Sequence, residues 1–555
     1  MNRNSENHFA NVPKNKMERS TFTMQQGVRT TFNMGDLIPF YVDMDILPGD
    51  TMQYDFTAVI RQSTPIYPTM DNSYLDIYFF AIPWRLVWKR TKEFFGENKN
   101  GPWAQTTEYL IPQLTTPEGG AQKGTVMDYM GIPINVAGIP FSALPVRAYT
   151  LTYNEHFRDQ NLIAPITEYD DDTDRTADNV LGELGGKPFK VAKFHDYFTS
   201  CLPDAQKGPA VETPIGTTAP VLGNGKSLGL QFMNSSGQLV GTTLKINGSD
   251  NNVETFGSLS TYGSDIGTVD TPNASGFKNK STLGVTTEAE NSGLYVDLSN
   301  AVSATINAQR LAFATQRILE KDARSGSRYN EVILNHFGVS SPDARQQRPE
   351  YLGGKRIPIT MNQVAQTSST DSVSPQGNVS AFSLTSDHDR MFTKSFTEHT
   401  IILGLCVARQ NHSYNQGLAR MWSRRRRLDV YWPSLAHLGE MAVLNKEIYA
   451  TGTETDNETF GFQERWAEYR TKMNLNTSSF RTTYNLSLDS WHYGDHYLNQ
   501  PGLNESWINE TKDYLDRTLA VTSAVEDQYL MDSIVHIKAT RNMPLYSVPG
   551  LLDHF

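Results

Sequence analysis

The sequence predicts an all-β protein in which many strands are joined by long polar loops. Three observations support this fold class: segments that alternate between apolar and polar side chains, short apolar runs rich in β-branched and aromatic residues, and a charged content of only 20%. The 555 residues are enough to bury a sizeable core. Because the strands are separated by long connections and do not alternate regularly with helices, a doubly wound sheet is not expected.

The first clear strand lies at 50–62, where apolar side chains occupy every second position and mostly polar ones fill the positions between them. Just before it, Pro48 and Gly49 suit the two central positions of a type II turn, since proline fixes φ and glycine accepts a positive φ. The sequence therefore predicts a half-buried strand that is entered through a tight turn.

The same two patterns predict further strands along the chain. Segments 75–82 and 401–407 are apolar on both faces and too short for typical helices, so we expect fully buried strands there. Alternation with a period of two recurs at 481–489 and again at 531–539. Strands are therefore expected near both ends of the chain.

One long segment, 305–324, departs from the strand pattern. Its apolar residues recur near helical spacing between Gln, Arg, Glu and Lys side chains, and Ser325-Gly326-Ser327 follows. This spacing predicts an amphipathic helix, and shorter helical turns are expected within 440–448 and 463–469.

Segment 212–300 differs in composition from the rest of the chain, because it is rich in Gly, Ser and Thr and lacks Arg, His and Trp. We interpret it as a surface insertion between two parts of one fold, 1–211 and 301–555. Just upstream, 168–183 carries seven carboxylates and a single arginine, Arg175, which predicts a solvated loop.

The balance of charge and the cysteine content limit the function. A net charge of −11 repels polyanions on average, so contact with nucleic acid requires a local basic face or a separate basic partner. Cys201 and Cys406 alone cannot form a disulfide framework or a four-thiolate zinc site. The longest apolar run, 401–408, is far shorter than a bilayer span, and 1–16 is polar, so we expect neither a membrane insertion nor a signal peptide.

No motif for catalysis or for a cofactor stands out. The tripeptide 225–227 ends like a phosphate-binding loop, but Pro220 occupies the position of that loop's first glycine. His492 and His496 have a metal-ligand spacing, yet Gly494 lies between them in an extended context, so separate polar partners are expected. We therefore predict no catalytic residue, no metal and no cofactor, and the protein is not expected to be an enzyme.

The sharpest basic feature is segment 420–427, where four consecutive arginines follow a tryptophan. Arginine beside tryptophan can neutralise phosphates and stack on the bases of single-stranded nucleic acid. Arginines also form bidentate pairs with carboxylates across subunit interfaces, and both alternatives stay open. The candidate nucleic-acid-binding residues are Arg420, Trp422, Arg424, Arg425, Arg426 and Arg427, with Lys14, Lys16 and Arg19 near the N-terminus.

Several segments, in the same order along the chain, resemble the major capsid proteins of microviruses of the gokushovirus group, which are small single-stranded DNA bacteriophages. One of them is the terminal Pro549-Gly550-Leu551-Leu552-Asp553-His554-Phe555. The matching segments are 70–76, 79–88, 153–161, 195–200, 206–209, 328–329, 336–339, 343–345, 348–354, 462–470 and 544–555. The resemblance therefore extends over nearly the whole chain.

This resemblance implies a single jelly roll, that is, an eight-stranded antiparallel barrel with large loop insertions containing a few helices. It also implies self-assembly in the host cytoplasm into a T=1 icosahedral shell around a circular single-stranded DNA genome. The implied partners are an internal scaffolding protein, a DNA pilot protein, a small basic DNA-binding protein and a host surface receptor. The family has a loop at the threefold axes that meets the host, and 212–300, with Phe256 and Tyr262 as anchors, fits it by position and composition.

Two further expectations complete the interpretation. Because the surface is polar and rich in loops, we expect contacts between subunits to contribute to stability, with Trp466, Tyr469, Val548 and Phe555 among the interface residues. The alternative function is a carbohydrate-binding or carbohydrate-active β-domain, which the many aromatic residues and the carboxylate surplus would suit.

Overall fold

The computed structural model describes residues 19–98, 107–177, 185–212, 305–368, 370 and 375–546, together with the backbone of five short strands between 213 and 304. The chain divides into two compact units, one formed by Met1–Gly208 with Leu319–Phe555 and the other by Pro209–Ile318. Within the described residues, strands dominate and most helices are single turns. The β-rich class predicted from the sequence is confirmed.

Two four-stranded antiparallel sheets form the centre of the first unit. The first sheet has the strand order β1-β8-β3-β6, and the second has the order β5-β4-β7-β2. In chain order the strands are β1 (Ser20–Phe32), β2 (Ile38–Ile46), β3 (Thr51–Gln62), β4 (Ser73–Pro83), β5 (Glu350–Pro358), β6 (Thr385–Ser395), β7 (Thr400–Gln410) and β8 (Tyr529–Arg541).

Four of the predicted strands are confirmed by this arrangement. In β3 the even-numbered side chains from Met52 to Ile60 are buried and the odd-numbered ones are more exposed, as the alternation predicts. Gly49, in the preceding turn, has a φ of 93°. Strands β4 and β7 are central in their sheet and almost wholly buried, and β8 alternates between buried and exposed positions.

The main hydrophobic core lies between the two sheets and draws side chains from both. Its centre is aromatic: the Tyr54 ring stacks on Phe392 with centroids 4.7 Å apart, and Phe79 from the opposite sheet lies 6.0 Å from Tyr54. Strands β5 and β6 of the two sheets lie in close contact, since a Cβ on Gly353 would lie 2.3 Å from the Met391 carbonyl oxygen. On the other side β1 and β2 are not paired, so the described strands do not form a closed barrel.

Shorter strands form additional small sheets outside these two sheets. In the first unit they are Gln113–Thr115, Pro140–Ser142 and Arg175–Thr176 in one sheet, Met361–Ala365 with Val379–Ser383, and Glu440–Leu444 with Thr459–Glu464. In the second unit they are Leu230–Met233, Leu239–Leu244 and Thr282–Val285 in one sheet, and Val221–Gly223 with Leu294–Val296.

Three helices exceed two turns: α1 (Leu144–Thr152), α2 (Ile306–Ser325) and α3 (Tyr329–Phe337). Helix α2 confirms the predicted amphipathic helix. A π-turn, Tyr153–Phe157, extends α1. Single α-turns are Trp84–Val87, Thr91–Phe94, Val126–Tyr129, Asp343–Gln346, Asn445–Ile448, Glu505–Ile508 and Asp513–Asp516, and 3-10 turns are Arg420–Ser423, Arg427–Asp429, Pro433–Leu435, Glu454–Asn457, Ala467–Tyr469, Ser478–Phe480 and Asp489–Trp491. None of the described helices is both long enough and apolar enough to cross a bilayer.

One local prediction is wrong. Segment 481–489 is not a strand, because its backbone makes local turns: the Tyr484 amide donates to the Arg481 carbonyl, and the Ser487 amide donates to the Tyr484 carbonyl. Its alternating apolar residues stay on the surface, and Leu486 is 77% exposed.

The described part of the acidic segment, 168–177, is mostly exposed and irregular, as predicted for a loop, and it also makes specific contacts. Asp171 makes ion pairs with Arg175 and with the buried Arg147, and the Trp88 indole donates to Asp172 at 2.7 Å. The segment is therefore held to the rest of the first unit by Arg147 and Trp88, and Arg175 adds an ion pair within the segment itself.

Candidate functional site

The basic segment 420–427 lies in an irregular connection that follows β7. Its turn is organised by Asp429, whose carboxylate accepts the backbone N–H groups of Arg425 and Arg426 at 2.9 and 2.8 Å. These N–H groups hold the pKa of Asp429 below its ordinary value, so the cap remains ionised. A short aspartate three or four residues further along the chain thus orients the backbone of the arginine run.

Two of the arginines are bound to carboxylates of the same chain. Arg420 donates to Glu447 at 3.1 Å and to the Ala442 carbonyl at 2.7 Å, and Arg424 donates to Glu468 at 3.1 Å. Burial raises the pKa of Glu447, although the Leu444 N–H and Arg420 oppose this shift. Arg420 and Arg424 therefore serve first as internal partners that compensate carboxylates removed from water.

The remaining arginines form no ion pair with a carboxylate among the described residues. Arg427 lies over the Trp432 ring at 4.7 Å, while the Trp432 indole donates back to the Arg427 carbonyl. Neither Arg425 nor Arg426 forms a side-chain ion pair with any residue in the described part of the chain, and both are exposed. Three of the five basic side chains are thus available for an external partner.

An aromatic cluster packs against this segment. Tyr431, Trp466 and Tyr469 pack with ring centroids about 6 Å apart, and the Arg424 guanidinium lies 4.2 Å from the Tyr469 ring. Trp466, predicted to lie at a subunit interface, is 5% exposed and packs within its own chain, whereas Tyr469 keeps 44% of its surface exposed. Of these two interface candidates, Tyr469 is the accessible one.

The other candidate residues lie elsewhere. The Arg19 guanidinium donates to the carbonyls of Gly49 and Thr540, and so joins the start of β1 to the end of β8. The structure therefore places Arg19 among the sheet ends and does not bring it into the arginine segment. Outside the described residues are Lys14, Lys16, Phe256, Tyr262, Val548 and Phe555.

The structure also reveals a buried charged cluster that sequence reasoning missed. The His412 ring contacts Asp495 at 2.6 Å through Nδ1 and Glu510 at 3.1 Å through Nε2, and Asp495 also pairs with Lys193 at 3.3 Å. Burial disfavours the charged ring, but the two carboxylates outweigh it and raise the pKa of His412 to about 10. The four residues come from distant segments, so no sequence spacing could have indicated the cluster.

The histidine pair singled out in the sequence behaves as expected. His492 contacts the Phe480 carbonyl through Nε2 at 2.8 Å, and His496 contacts the Thr482 hydroxyl through Nδ1 at 2.8 Å. The two rings therefore have separate polar partners. Within the described ranges, no three His, Cys, Asp or Glu side chains are grouped so that they could hold a metal ion.

Comparison with known sequences identifies the family of this chain. A family model described as capsid protein (F protein) matches residues 10–551, which is nearly the entire chain. This chain belongs to that capsid protein family. The protein is therefore a structural component of a virion, and the predicted resemblance to microvirus capsid proteins is confirmed.

Individual relatives agree with the family assignment. The chain is 41% identical to capsid protein VP1 of Bdellovibrio phage phiMH2K over 564 aligned residues, which cover 100% of this chain and 99% of the relative. It is 39% identical to capsid protein VP1 of Chlamydia phage 1, with 98% of both chains covered. It is also 39% identical to capsid protein VP1 of Spiroplasma virus 4, with 98% and 97% covered.

Proposed function

We propose that this capsid protein folds as a single jelly roll and assembles into a T=1 shell around a circular single-stranded DNA genome. The observation that carries the proposal is the strand order. A jelly roll numbered in chain order has the sheets 1-8-3-6 and 2-7-4-5, because its hairpins fold over as two Greek keys. The sheets β1-β8-β3-β6 and β5-β4-β7-β2 have this order.

The net charge of the chain suggests that a separate protein neutralises the packaged DNA. A subunit with a net charge of −11 cannot neutralise a packaged phosphate backbone on its own, so a small basic DNA-binding protein fits as an internal partner. We further propose an internal scaffolding protein and a DNA pilot protein as assembly partners, and a structural role without catalysis for this chain.

Host attachment is proposed for the insertion at 212–300. Recognition residues are concentrated in loops that are carried on a rigid scaffold. This segment also contains few large apolar residues that could form a core. Within it, Phe256 and Tyr262 are the aromatic anchors that we propose for a host surface receptor.

The assembly proposal is tested by expressing the full chain with the phage's own scaffolding protein. We expect closed particles of one diameter and megadalton mass in light scattering, with icosahedral symmetry and sixty copies in electron micrographs. A chain that stays monomeric under co-expression would reject shell assembly, and closed shells of another triangulation would reject T=1 alone.

A further inference from the structure

We propose that the surface formed by residues 421–438 and Tyr469 binds a second copy of this chain. We call it the aromatic–arginine surface. The inference rests on the proposed shell assembly and deepens it, because it names which part of the subunit forms a contact and which type of partner that contact fits.

The aromatic–arginine surface exposes several large apolar side chains. Isolated exposed apolar residues are ordinary on proteins, whereas a contiguous group marks an interaction site. Trp422 is 72% exposed and Leu428 is 66% exposed, within one short connection. The exposed apolar members of the surface are Met421, Trp422, Leu428, Val430, Tyr431, Trp432, Leu438 and Tyr469.

The surface is also held in place by packing within the subunit. The Tyr431–Trp466–Tyr469 cluster fixes the aromatic base, and the Trp466 indole contacts the Leu435 carbonyl at 3.4 Å, which ties the far part of the connection to it. A contact surface whose side chains are ordered before binding loses less conformational entropy on association. Tryptophan, tyrosine and arginine are also the residue types that most often dominate binding energy at protein interfaces.

The charge of this surface is compatible with a second copy as the partner. Arg425 and Arg426 make no side-chain ion pair with a described residue, so a partner that covers them must supply anionic groups, which in a protein are carboxylates. A second copy can do so, because the chain has 60 acidic residues against 49 basic ones. Interfaces between copies in a shell are heterologous as well as twofold, so the complementary acidic patch need not lie on the same face.

Single-stranded DNA fits the surface less well. Met421, Leu428 and Leu438 are aliphatic side chains that a phosphate backbone cannot cover. In addition, Glu447, Glu468 and Asp429 lie directly among the arginines and repel phosphate groups. The observations therefore favour a protein partner over the genome.

The decisive experiment uses the full chain co-expressed with its scaffolding protein. The double variant Trp422→Ala/Leu428→Ser removes two exposed side chains, so the melting temperature of the subunit should change little. Association between subunits should weaken by about tenfold or more, since large exposed apolar and aromatic side chains carry much of the binding energy of an interface, and the yield of closed shells should collapse. Val525→Ser, which changes a side chain that is 81% exposed in another loop, is the matched control and should assemble normally.

Each result separates the alternatives. Normal shell yield with less DNA per particle in the double variant would overturn the proposal and assign the surface to the genome. Normal yield and normal DNA content would overturn it in favour of no role. If the unaltered chain itself forms no shells, the assembly proposal fails independently of this surface.

A second measurement covers the case in which the double variant is unstable. Replacing Trp422 with the photoreactive residue p-benzoylphenylalanine and irradiating assembled particles should produce a covalent dimer of this chain on denaturing gels. A product that nuclease treatment shortens, or the absence of any dimer in particles that have formed, would contradict the contact between copies.

Discussion

At the scale of single residues, the buried cluster around His412 places several charged groups of this capsid protein away from water. Its ring lies between the carboxylates of Asp495 and Glu510, and Lys193 balances Asp495 from the other side. The Tyr497 hydroxyl donates a further hydrogen bond to Asp495 at 2.6 Å. Four formal charges are thus removed from water in a nearly neutral group, so removing any one leaves a buried charge uncompensated.

The substitution His412→Gln tests this cluster directly. It removes the positive charge between two buried carboxylates, so we expect the free energy of unfolding to fall by about 3–5 kcal/mol. The measurement is guanidinium unfolding of the full chain, followed by tryptophan fluorescence. His437→Gln alters an exposed ring and is the control. Equal unfolding midpoints for the two variants would show that the cluster contributes nothing to stability.

The pH dependence of stability follows from the same geometry. The folded chain raises the pKa of His412 from about 6.5 to about 10, so the folded state binds this proton more tightly than the unfolded state. The stabilisation is complete below about pH 6.5 and disappears as the pH rises towards 10. We expect the melting temperature of the unaltered chain to fall across this range more steeply than that of His412→Gln. Parallel curves would contradict a charged ring in the folded state.

At the scale of elements, the close approach of β5 and β6 depends on Gly353. A methyl group there would meet the Met391 carbonyl oxygen, which belongs to the backbone and cannot rotate away. We expect Gly353→Ala to destabilise the subunit by about 1–3 kcal/mol through overpacking. Gly27→Ala in β1 is the control, because the nearest atom to its added methyl lies 3.9 Å away. Thermal unfolding of both variants makes the comparison, and similar melting temperatures would show that the sheets can separate at no cost.

The elements also show what sequence patterns could and could not predict. Strand β3 was predictable because its alternation is produced by burial of one face against a core, and β4 and β7 because they are buried on both faces. The alternation at 481–489 had no such cause. Tyr484 and its apolar neighbours are exposed, so the pattern carried no information about a hydrogen-bonded partner strand.

The candidate site was likewise predictable only in part. The sequence identified the arginine run as a contact region, since four adjacent arginines need an external partner or internal acids. It could not separate Arg420 and Arg424 from the others, because Glu447 and Glu468 meet them only in the folded chain. The exposed apolar side chains between the arginines became informative only once their exposure was known.

At the scale of the whole molecule, removal of the insertion tests whether host attachment and shell formation depend on different parts of the chain. Replacing 212–300 with a linker of about 10 residues lowers the cost of loop closure by roughly 2 kcal/mol, so the remaining chain should fold. We expect the shortened chain to form shells that enclose DNA but adsorb poorly to host cells, as measured by particle binding to washed cells. Unchanged adsorption would remove the attachment role, and a failure to assemble would assign the insertion to shell contacts.

The neighbouring positions of β1 and β8 have a consequence for how the subunit is made. Ser20 is aligned with Arg541, and β8 separates β1 from β3 in their sheet. On a translating ribosome, β1 and β3 emerge long before β8, the strand that belongs between them. The sheet is therefore completed through contacts of very large sequence separation, which makes folding slow. Until β8 is in place, β1 and β3 have unpaired edges, which are the parts of an incomplete sheet most prone to pair with other chains.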